Sequence, residues 1–395
     1  MSVVDHGSYQ VQRRRLNGRL IGAGVGLVAC VLFAAVVWHV TQGWRLAALA
    51  LIGALIGAVL ASSSFGFAGG FRRFITERDG SAMKAQIIMF GLMSAAAIPL
   101  VATGEAFGVK LVGVVTPVGI AFLIGATMFG VGMQLAGGCA SGTLFGIGGG
   151  NLRLIIALIG LVAGSTLGAS HMGYWWSLPK LEAFTLWQAF PLPLALGLQA
   201  LILGAAWLIV TLVSRKGPAR NPGRWTLMQG AAALAVLNVS VLLLSGQPWG
   251  EAPAFALWGS KIAAAGGVDV FWWEYWSRPG FDRQIEASIL TDSVTVITIG
   301  IVLGAFGSSL AAGDVHLRFD GGIASGAATL IGGMLMGYGA RLTNGCNIGA
   351  YFSGVGTGAL SGWVWLAFAL AGSYAGIILL RWAGLLGARA INNEG

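Results

Sequence analysis

Charged residues are scarce in this sequence, in which Asp, Glu, Lys and Arg make up 9% of 395 residues. With 56% hydrophobic residues and a mean hydropathy of +0.80, the chain has too little polar surface to cover its apolar groups in water. The shortage of charge excludes an ordinary soluble domain. It indicates a protein whose apolar surface faces membrane lipid.

Cysteine and acidic residues are also rare. Three cysteines without a C-x-x-C pair exclude a disulfide framework, and the near absence of carboxylates from the apolar runs disfavours a metal-cation pump. The 23 basic residues lie in short loops, where they set membrane orientation and do not indicate nucleic acid. We therefore expect no nucleic acid partner, no cofactor and no bound metal.

Long apolar runs are what the sequence has in their place. Each is long enough to cross about 30 Å of hydrocarbon at about 1.5 Å per residue. Ten such runs are predicted, at roughly 20–41, 45–66, 84–103, 117–136, 152–170, 192–213, 227–245, 289–311, 321–340 and 360–382. Basic clusters precede the first run and follow the second, sixth and tenth, which predicts cytoplasmic termini. The sequence therefore predicts an all-α polytopic membrane protein of about ten transmembrane helices.

The segment 246–288 does not fit this series as a span. Its apolar part, 252–268, is short and contains Lys261, and tryptophans flank it among prolines and scattered charges. Such a composition is typical of an aromatic belt at the membrane surface, so we predict an outer interfacial loop. The segment 171–190 shows the same pattern and is predicted on the same face. If 252–268 did span, every later orientation would reverse.

One motif occurs twice. GVGMQLAGGCASGTLFGIGGG begins at Gly130, and GYGARLTNGCNIGAYFSGVGT begins 207 residues later, at Gly337. The offset pairs the central residues of the two copies: Gly138 with Gly345, Cys139 with Cys346, and Gly142 with Gly349. Because the chain has only three cysteines, two of them in one register indicate an internal repeat.

Each copy places Gly-Cys between glycines after an apolar run, the pattern of a broken or re-entrant membrane helix. Such backbone is tolerated only inside the protein or along a polar cavity, and a short helix that starts there directs N–H groups into the cavity. Two such segments predict an anion path without a fixed cation. The polar neighbours Gln134, Asn344 and Asn347 are predicted to line it.

The two copies are predicted to face opposite sides of the membrane. The run at 84–103 lies between the second run and the first copy, whereas no extra run precedes the second copy. Cys139 should therefore follow a helix that runs inward and Cys346 one that runs outward, which is an inverted-topology repeat with its site near the membrane midplane. The halves are predicted at about 45–170 and 289–382, joined by 171–288.

In apolar surroundings the two motif thiols should stay neutral. A neutral thiol offers a weak S–H donor and a polarizable sulfur, which suits a soft, sulfur-containing anion. A transporter of such an anion is the leading interpretation. The alternatives are a membrane-embedded sulfurtransferase or thiol redox enzyme, and a channel-like protein that passes neutral solutes.

At these residues the chain resembles the YeeE/YedE family of sulfur transporters. The resemblance is carried by AGGCASG from Ala136, TNGCNIG from Thr343, FGFAGGFRR from Phe65 and GAFGSSLAAGDVHLR from Gly304. It implies a multi-pass protein of the bacterial inner membrane that is not an enzyme and takes up a small sulfur-containing anion, above all thiosulfate. It also implies a small cytoplasmic sulfur-carrier protein of the TusA type as a partner.

Three cysteines are typical of that family's path, and the resemblance carries two of them onto Cys139 and Cys346. Gly66 stands where the third would be, in the sequence Ser-Phe-Gly-Phe that starts at Ser64. A path with two thiols leaves a related sulfur or selenium species as an alternative substrate.

Overall fold

A computed structural model describes residues 6–215, 223–319 and 321–386. The predicted cytoplasmic termini, residues 1–5 and 387–395, lie outside the described residues. Helices dominate the structure, and strands form only two short antiparallel pairs there, β1 (Glu105–Ala106) with β2 (Val109–Lys110) and β3 (Val118–Gly119) with β4 (Lys180–Leu181).

The helices, in chain order, are α1 His6–Thr41, α2 Trp44–Ser63, α3 Phe67–Glu77, α4 Ser81–Thr103, α5 Ile120–Ala136, α6 Ala140–Gly148, α7 Arg153–Ser170, α8 Met172–Ser177, α9 Leu186–Ala189, α10 Leu192–Val213, α11 Leu227–Ser245, α12 Ala252–Ala265, α13 Asp282–Glu286, α14 Ser293–Ala312, α15 Ile323–Leu342, α16 Ser353–Gly356 and α17 Leu360–Trp382. A π-helical turn, Asn347–Phe352, joins α15 to α16, and two 3-10 turns flank α13.

Ten segments of the described chain are long and apolar enough to cross a membrane, and each coincides with one of the ten predicted runs. Three of them are longer than one helix because they combine α2 with α3, α5 with α6, and α15 with the π-helical turn and α16. The predicted all-α polytopic fold is confirmed.

Close approach between glycines sets the relative directions of the central helices. Gly125 of α5 lies against Gly339 of α15, and Gly132 lies against Gly332, so these two helices run antiparallel. With the 207-residue offset, Gly125 corresponds to Gly332 and Gly132 corresponds to Gly339. The two contacts are therefore equivalent, and both helices use the same face in them. This exchange agrees with the predicted repeat, whose orientation across the membrane stays a prediction.

The second and eighth spans run in the same direction. A Cβ added to Gly53 of α2 would overlap Ile297 of α14, and one added to Gly57 would overlap Ile301, four residues further along both helices. These two helices are therefore parallel, whereas α5 and α15 are antiparallel. A single two-fold axis cannot relate an antiparallel pair and a parallel pair of helices. The contacts that the 207-residue offset interchanges therefore relate α5 to α7 with α15 to α17, and they do not include the contacts between α2 and α14.

The expectation of an interfacial loop is wrong for residues 252–265, which form α12. After α11 the chain folds back along this helix. The Trp249 amide donates a hydrogen bond to Asn238 Oδ1 of α11 at 2.7 Å, which holds the start of the segment there. Pro253 in the first turn favours the start of a helix there. At 14 residues, or about 21 Å, α12 is too short to span, and it packs against α7.

Candidate functional site

Both Gly-Cys segments are breaks between helices. Cys139 is the N-cap residue of α6, and Cys346 is the N-cap residue of the π-helical turn. Both side chains are fully buried. The two thiols therefore lie inside the protein at the starts of short helical segments, as the motif predicts for each copy.

The turn before each cysteine needs a residue that tolerates the left-handed region. Gly137 has φ of +83° and Asn344, which stands 207 residues later, has φ of +55°. Glycine adopts this conformation without steric cost, and asparagine is among the few other residues that visit it readily. Asn344, predicted to line the path, thus has a backbone role as well. Gly137 was missed because its register partner is not a glycine.

Cys139 is held by backbone donors. Its sulfur accepts from the Gly142 amide at 3.4 Å and lies 3.4 Å from Ser141 Oγ. A Cβ on Gly142 would lie 3.3 Å from that sulfur, so glycine gives the thiol room over the first turn of α6. The backbone amide of Phe67, the first residue of α3, also faces this sulfur.

Cys346 has a different partner. Its thiol donates to Glu251 Oε2 at 3.0 Å, and Glu251 is fully buried. The second carboxylate oxygen, Oε1, has no hydrogen-bond partner among the described residues. Glu251 is also close enough to Cys139 to act on it electrostatically. Glu251 is not among the residues predicted from the sequence, because its segment has the composition of an outer loop.

Gly66, the position of the missing third cysteine, is the N-cap residue of α3. Its φ of −117° suits any residue, and a Cβ added there would meet no atom within 4 Å. Because the next residue, Phe67, directs its amide at Cys139, Gly66 lies beside the first break. The site has open space where a third thiol would stand.

Gln134 fastens α3 to α5. Its Nε2 donates to the Ala68 carbonyl at 3.2 Å, and its Oε1 accepts from Arg72 Nε at 3.0 Å. Asn347 links the two halves, because its Nδ2 donates to Met133 Sδ at 3.8 Å. Its buried Oδ1 has no partner in the described part of the chain. Of these two predicted path residues, only Asn347 has an unoccupied polar atom.

The flanking glycines differ in how tightly they are enclosed. A Cβ on Gly345 would lie 2.5 Å from the Ala350 nitrogen, whereas one on Gly138 would have only ordinary contacts at 3.6 Å or more. A Cβ on Gly349 would lie 3.6 Å from Gly250 Cα. The backbone that leads to Glu251 therefore passes directly beside the second break.

Aromatic rings join the two breaks. Tyr351 in the π-helical turn stacks on Trp365 with ring centroids 5.8 Å apart. It meets Phe67 edge-on at 6.2 Å and Phe90 at 4.8 Å. Since the amide of Phe67 faces Cys139 and Tyr351 follows Cys346 by five residues, one aromatic cluster packs against both breaks.

Two arginines lie close to the breaks, beside the path that is predicted to lack a fixed cation. Arg153 lies at the first break, because a Cβ on Gly137 would lie 2.8 Å from its Nη2. Arg341, in the last turn of α15, lies before the second break and is buried. Arg72 and Arg153 come from α3 and α7. Arg153 follows the first motif copy by three residues in the sequence, whereas the packing of α3 against α5 brings Arg72 to Gln134.

Comparison with known proteins agrees with this architecture. Residues 62–375 match the model of a family described as "Sulphur transport". The chain is 26% identical to the thiosulfate transporter TsuA of Spirochaeta thermophila over 345 residues, which cover 82% of this chain and 96% of that protein. It is 25% identical to the thiosulfate transporter TsuA of Escherichia coli over 349 residues, 82% of this chain and 91% of the relative.

A shorter likeness extends to the probable transporter YedE of Escherichia coli, with 28% identity over 152 residues, or 38% of this chain and 37% of that protein. The relatives are named transporters, and the family match covers both breaks and all helices from the end of α2 into α17. On this match, which spans most of its length, the chain belongs to the sulfur transport family.

Proposed function

We propose that this protein takes up a small sulfur-containing anion, above all thiosulfate, through a central path between Cys139 and Cys346. The observation that carries the proposal is that two fully buried thiols are each the N-cap residue of a helical segment, and the N-terminal end of a helical segment favours a bound anion. A neutral thiol can donate S–H to the terminal sulfur of thiosulfate and match its polarizability.

The surroundings of Cys346 favour transport over sulfur transfer. An enzyme of that class needs a thiolate, which forms where positive groups surround the sulfur. The nearest charged side chain that contacts Cys346 is instead the Glu251 carboxyl, at 3.0 Å. A negative neighbour opposes the loss of the thiol proton, so the thiol acts as a donor and not as a nucleophile.

The number of thiols bears on the choice of substrate. With Gly66 in place of a third cysteine, the anion meets two S–H donors and an open space beside the first break. Thiosulfate fits this path because its terminal sulfur needs only one donor at a time. A related sulfur or selenium species is the second candidate, since the open space at Gly66 accepts a larger soft atom.

The proposal also includes the membrane location and the orientation of the chain. The protein lies in the bacterial inner membrane with both termini in the cytoplasm, and the halves around α5 and α15 have inverted orientation. A cysteine introduced at exposed Trp272 should react with an impermeant thiol reagent added to intact cells, and one introduced at Arg215 should not. Equal labelling at both positions would contradict this orientation.

The cytoplasmic partner of the path is a small sulfur-carrier protein of the TusA type, which would receive the anion after its release. Purified carrier should bind inside-out vesicles that contain this transporter and should not bind vesicles without it. Equal binding to both would remove the carrier from the proposal.

Uptake of labelled thiosulfate tests the function directly. In a bacterial strain that lacks other importers, expression of the wild-type chain should give uptake that saturates with concentration and is suppressed by excess unlabelled thiosulfate. Competition by selenosulfate and by sulfite, measured as the loss of labelled thiosulfate uptake, distinguishes thiosulfate from a related sulfur or selenium species as the preferred substrate. Absence of uptake, with full-length protein present in the membrane, would contradict the proposal.

A further inference from the structure

Arg341 is a buried cation with unused donors. It is 2% exposed, and its Nη1 donates to the Tyr275 hydroxyl at 2.5 Å. Its Nε and Nη2 have no hydrogen-bond partner among the described residues. These two nitrogens form one edge of the guanidinium fork, so the unused donors point in the same direction.

No carboxylate neutralises this cation within the part of the chain that the structure describes. The one ion pair found there joins Arg73 to Asp79 at 3.4 Å, near the end of α3. A buried charge without a partner is costly unless an ion of opposite sign is bound or nearby. The arrangement is therefore suited to a ligand that carries negative charge.

Arg341 also lines a cavity. A cavity of about 420 Å³ is lined by Arg341, Tyr275, Asn344 and a second guanidinium, Arg278. Arg278 is held in place by aromatic faces, with its central carbon 4.5 Å from the Tyr275 ring centroid and 5.0 Å from that of Trp176. Two fixed guanidinium groups at one cavity attract anions.

We propose that this cavity is a binding site for a small oxyanion, which Arg341 holds by its Nε and Nη2 edge. A planar guanidinium edge matches two oxygens of one oxyanion, whereas a lysine would offer a single point charge. The site precedes the second break, because Arg341 is five residues before Cys346. In combination with the proposed function, on which this role rests, the sulfonate end of thiosulfate binds here before its terminal sulfur reaches the thiol.

The first break differs from the second at the position that corresponds to Arg341. The residue that corresponds to Arg341 is Gln134, which is fully buried and hydrogen-bonded to Arg72 and Ala68. The capture of an oxyanion from a cavity is therefore a property of the second break, which gives the path a defined entry side.

A reporter cysteine measures the charge of this cavity without any need for transport. Leu178 lines the cavity and has no part in the polar arrangement, so Leu178→Cys places a thiol there. The purified protein is reacted with a sulfonate-bearing and a trimethylammonium-bearing methanethiosulfonate, and rates are corrected for protein without the reporter. The anionic reagent should react roughly tenfold faster than the cationic one, and thiosulfate or sulfate should slow both reactions.

Variants of the arginine locate the effect. Arg341→Gln in the reporter background should lower the preference for the anionic reagent, although Arg278 remains at the cavity, and should abolish the protection by thiosulfate. Arg341→Lys keeps the charge but removes the fork, so part of the preference should remain while protection falls by roughly tenfold. Arg45→Gln removes the same charge at a side chain bound to the Phe107 carbonyl, outside the cavity, and should change neither quantity.

Equal rates for the two reagents in the unaltered reporter protein would overturn the proposal. So would full protection by thiosulfate in Arg341→Lys, which keeps the charge and lacks the planar fork. Because labelling and protection are read without uptake, these results stand apart from the proposed function. An oxyanion site in a protein that does not transport thiosulfate would leave this inference intact, and thiosulfate uptake by a protein without the site would leave the function intact.

Discussion

The two breaks share a motif and differ in the polar groups that contact their cysteines. At the first, the Cys139 sulfur accepts from the Gly142 amide, and the nearby Gln134 is engaged by Arg72. At the second, the Cys346 thiol donates to Glu251, and Arg341, which lines a cavity, has two donors without a partner among the described residues. The repeat builds two similar turns, and elements outside the exchanged contacts, α3 and α12, give each turn its own chemistry.

In the proposed path this difference would set a direction. An anion that enters from the second break would meet Arg341 and then the Cys346 thiol. At the first break it would meet the Cys139 sulfur, which accepts from the Gly142 amide, and the open space at Gly66. The changes below break or sharpen this contrast, beginning with the largest expected effect.

Gly345→Ala and Gly138→Ala form a matched pair at the same position of the two copies. The added methyl group at Gly345 would lie 2.5 Å from the Ala350 nitrogen, which cannot move without shifting the second break, whereas Gly138 has room. We expect uptake to fall to background in Gly345→Ala and to stay near normal in Gly138→Ala. Uptake and the thermal stability of the purified proteins are the measurements, and equal behaviour of the two variants would refute the difference in enclosure.

Glu251→Gln should alter the second thiol more than the first. Loss of the carboxyl removes the negative group that opposes the Cys346 thiolate, so labelling of Cys346 by a neutral maleimide near pH 8 should accelerate roughly three- to tenfold. Mass spectrometry of the labelled peptides separates Cys346 from Cys139, which should change less. Cys30, distant in sequence and on α1, is the internal control.

An unchanged rate at Cys346 in Glu251→Gln would show that the carboxyl does not govern the thiol. A faster rate at all three cysteines would instead indicate general loosening of the fold, and the Cys30 control distinguishes that case.

Gly66→Cys has the smallest expected effect. The position has open space and an extended backbone, so the variant should fold normally and add a third thiol beside Cys139. If thiosulfate is the substrate, the rate of uptake should rise or stay within about threefold of the wild type. A strong block, while Cys139 and Cys346 remain essential, would favour a larger related anion as the natural substrate.

The spans and both breaks were predictable because their signals are local. Apolar runs mark the helices, and Gly-Cys between glycines marks a turn that needs close backbone approach. The role of α12 was not predictable, because its apolar stretch is short and Lys261 gives it the composition of a surface segment. In the structure Lys261 donates to the carbonyls of Ile285 and Ala287 at 2.5 and 2.6 Å. These hydrogen bonds satisfy the ammonium group at one end of α12, while the residues at the start of the helix are buried.

Arg341 illustrates the same limit. Its position one turn before the second break is evident in the sequence, but its significance depends on Tyr275, Arg278 and the cavity they line. These residues lie more than 60 positions away in the chain. Residue spacing within a motif predicts a backbone turn, whereas the groups that surround a buried side chain come from tertiary packing.

Uptake by the double variant Cys139→Ala/Cys346→Ala is the most direct test of the central claim, that the anion passes between two thiols. Loss of one weak donor should slow uptake by roughly tenfold, and loss of both should reduce it to background with normal amounts of protein in the membrane. Cys30→Ala should transport normally. Normal uptake by the double variant would contradict the thiol path outright.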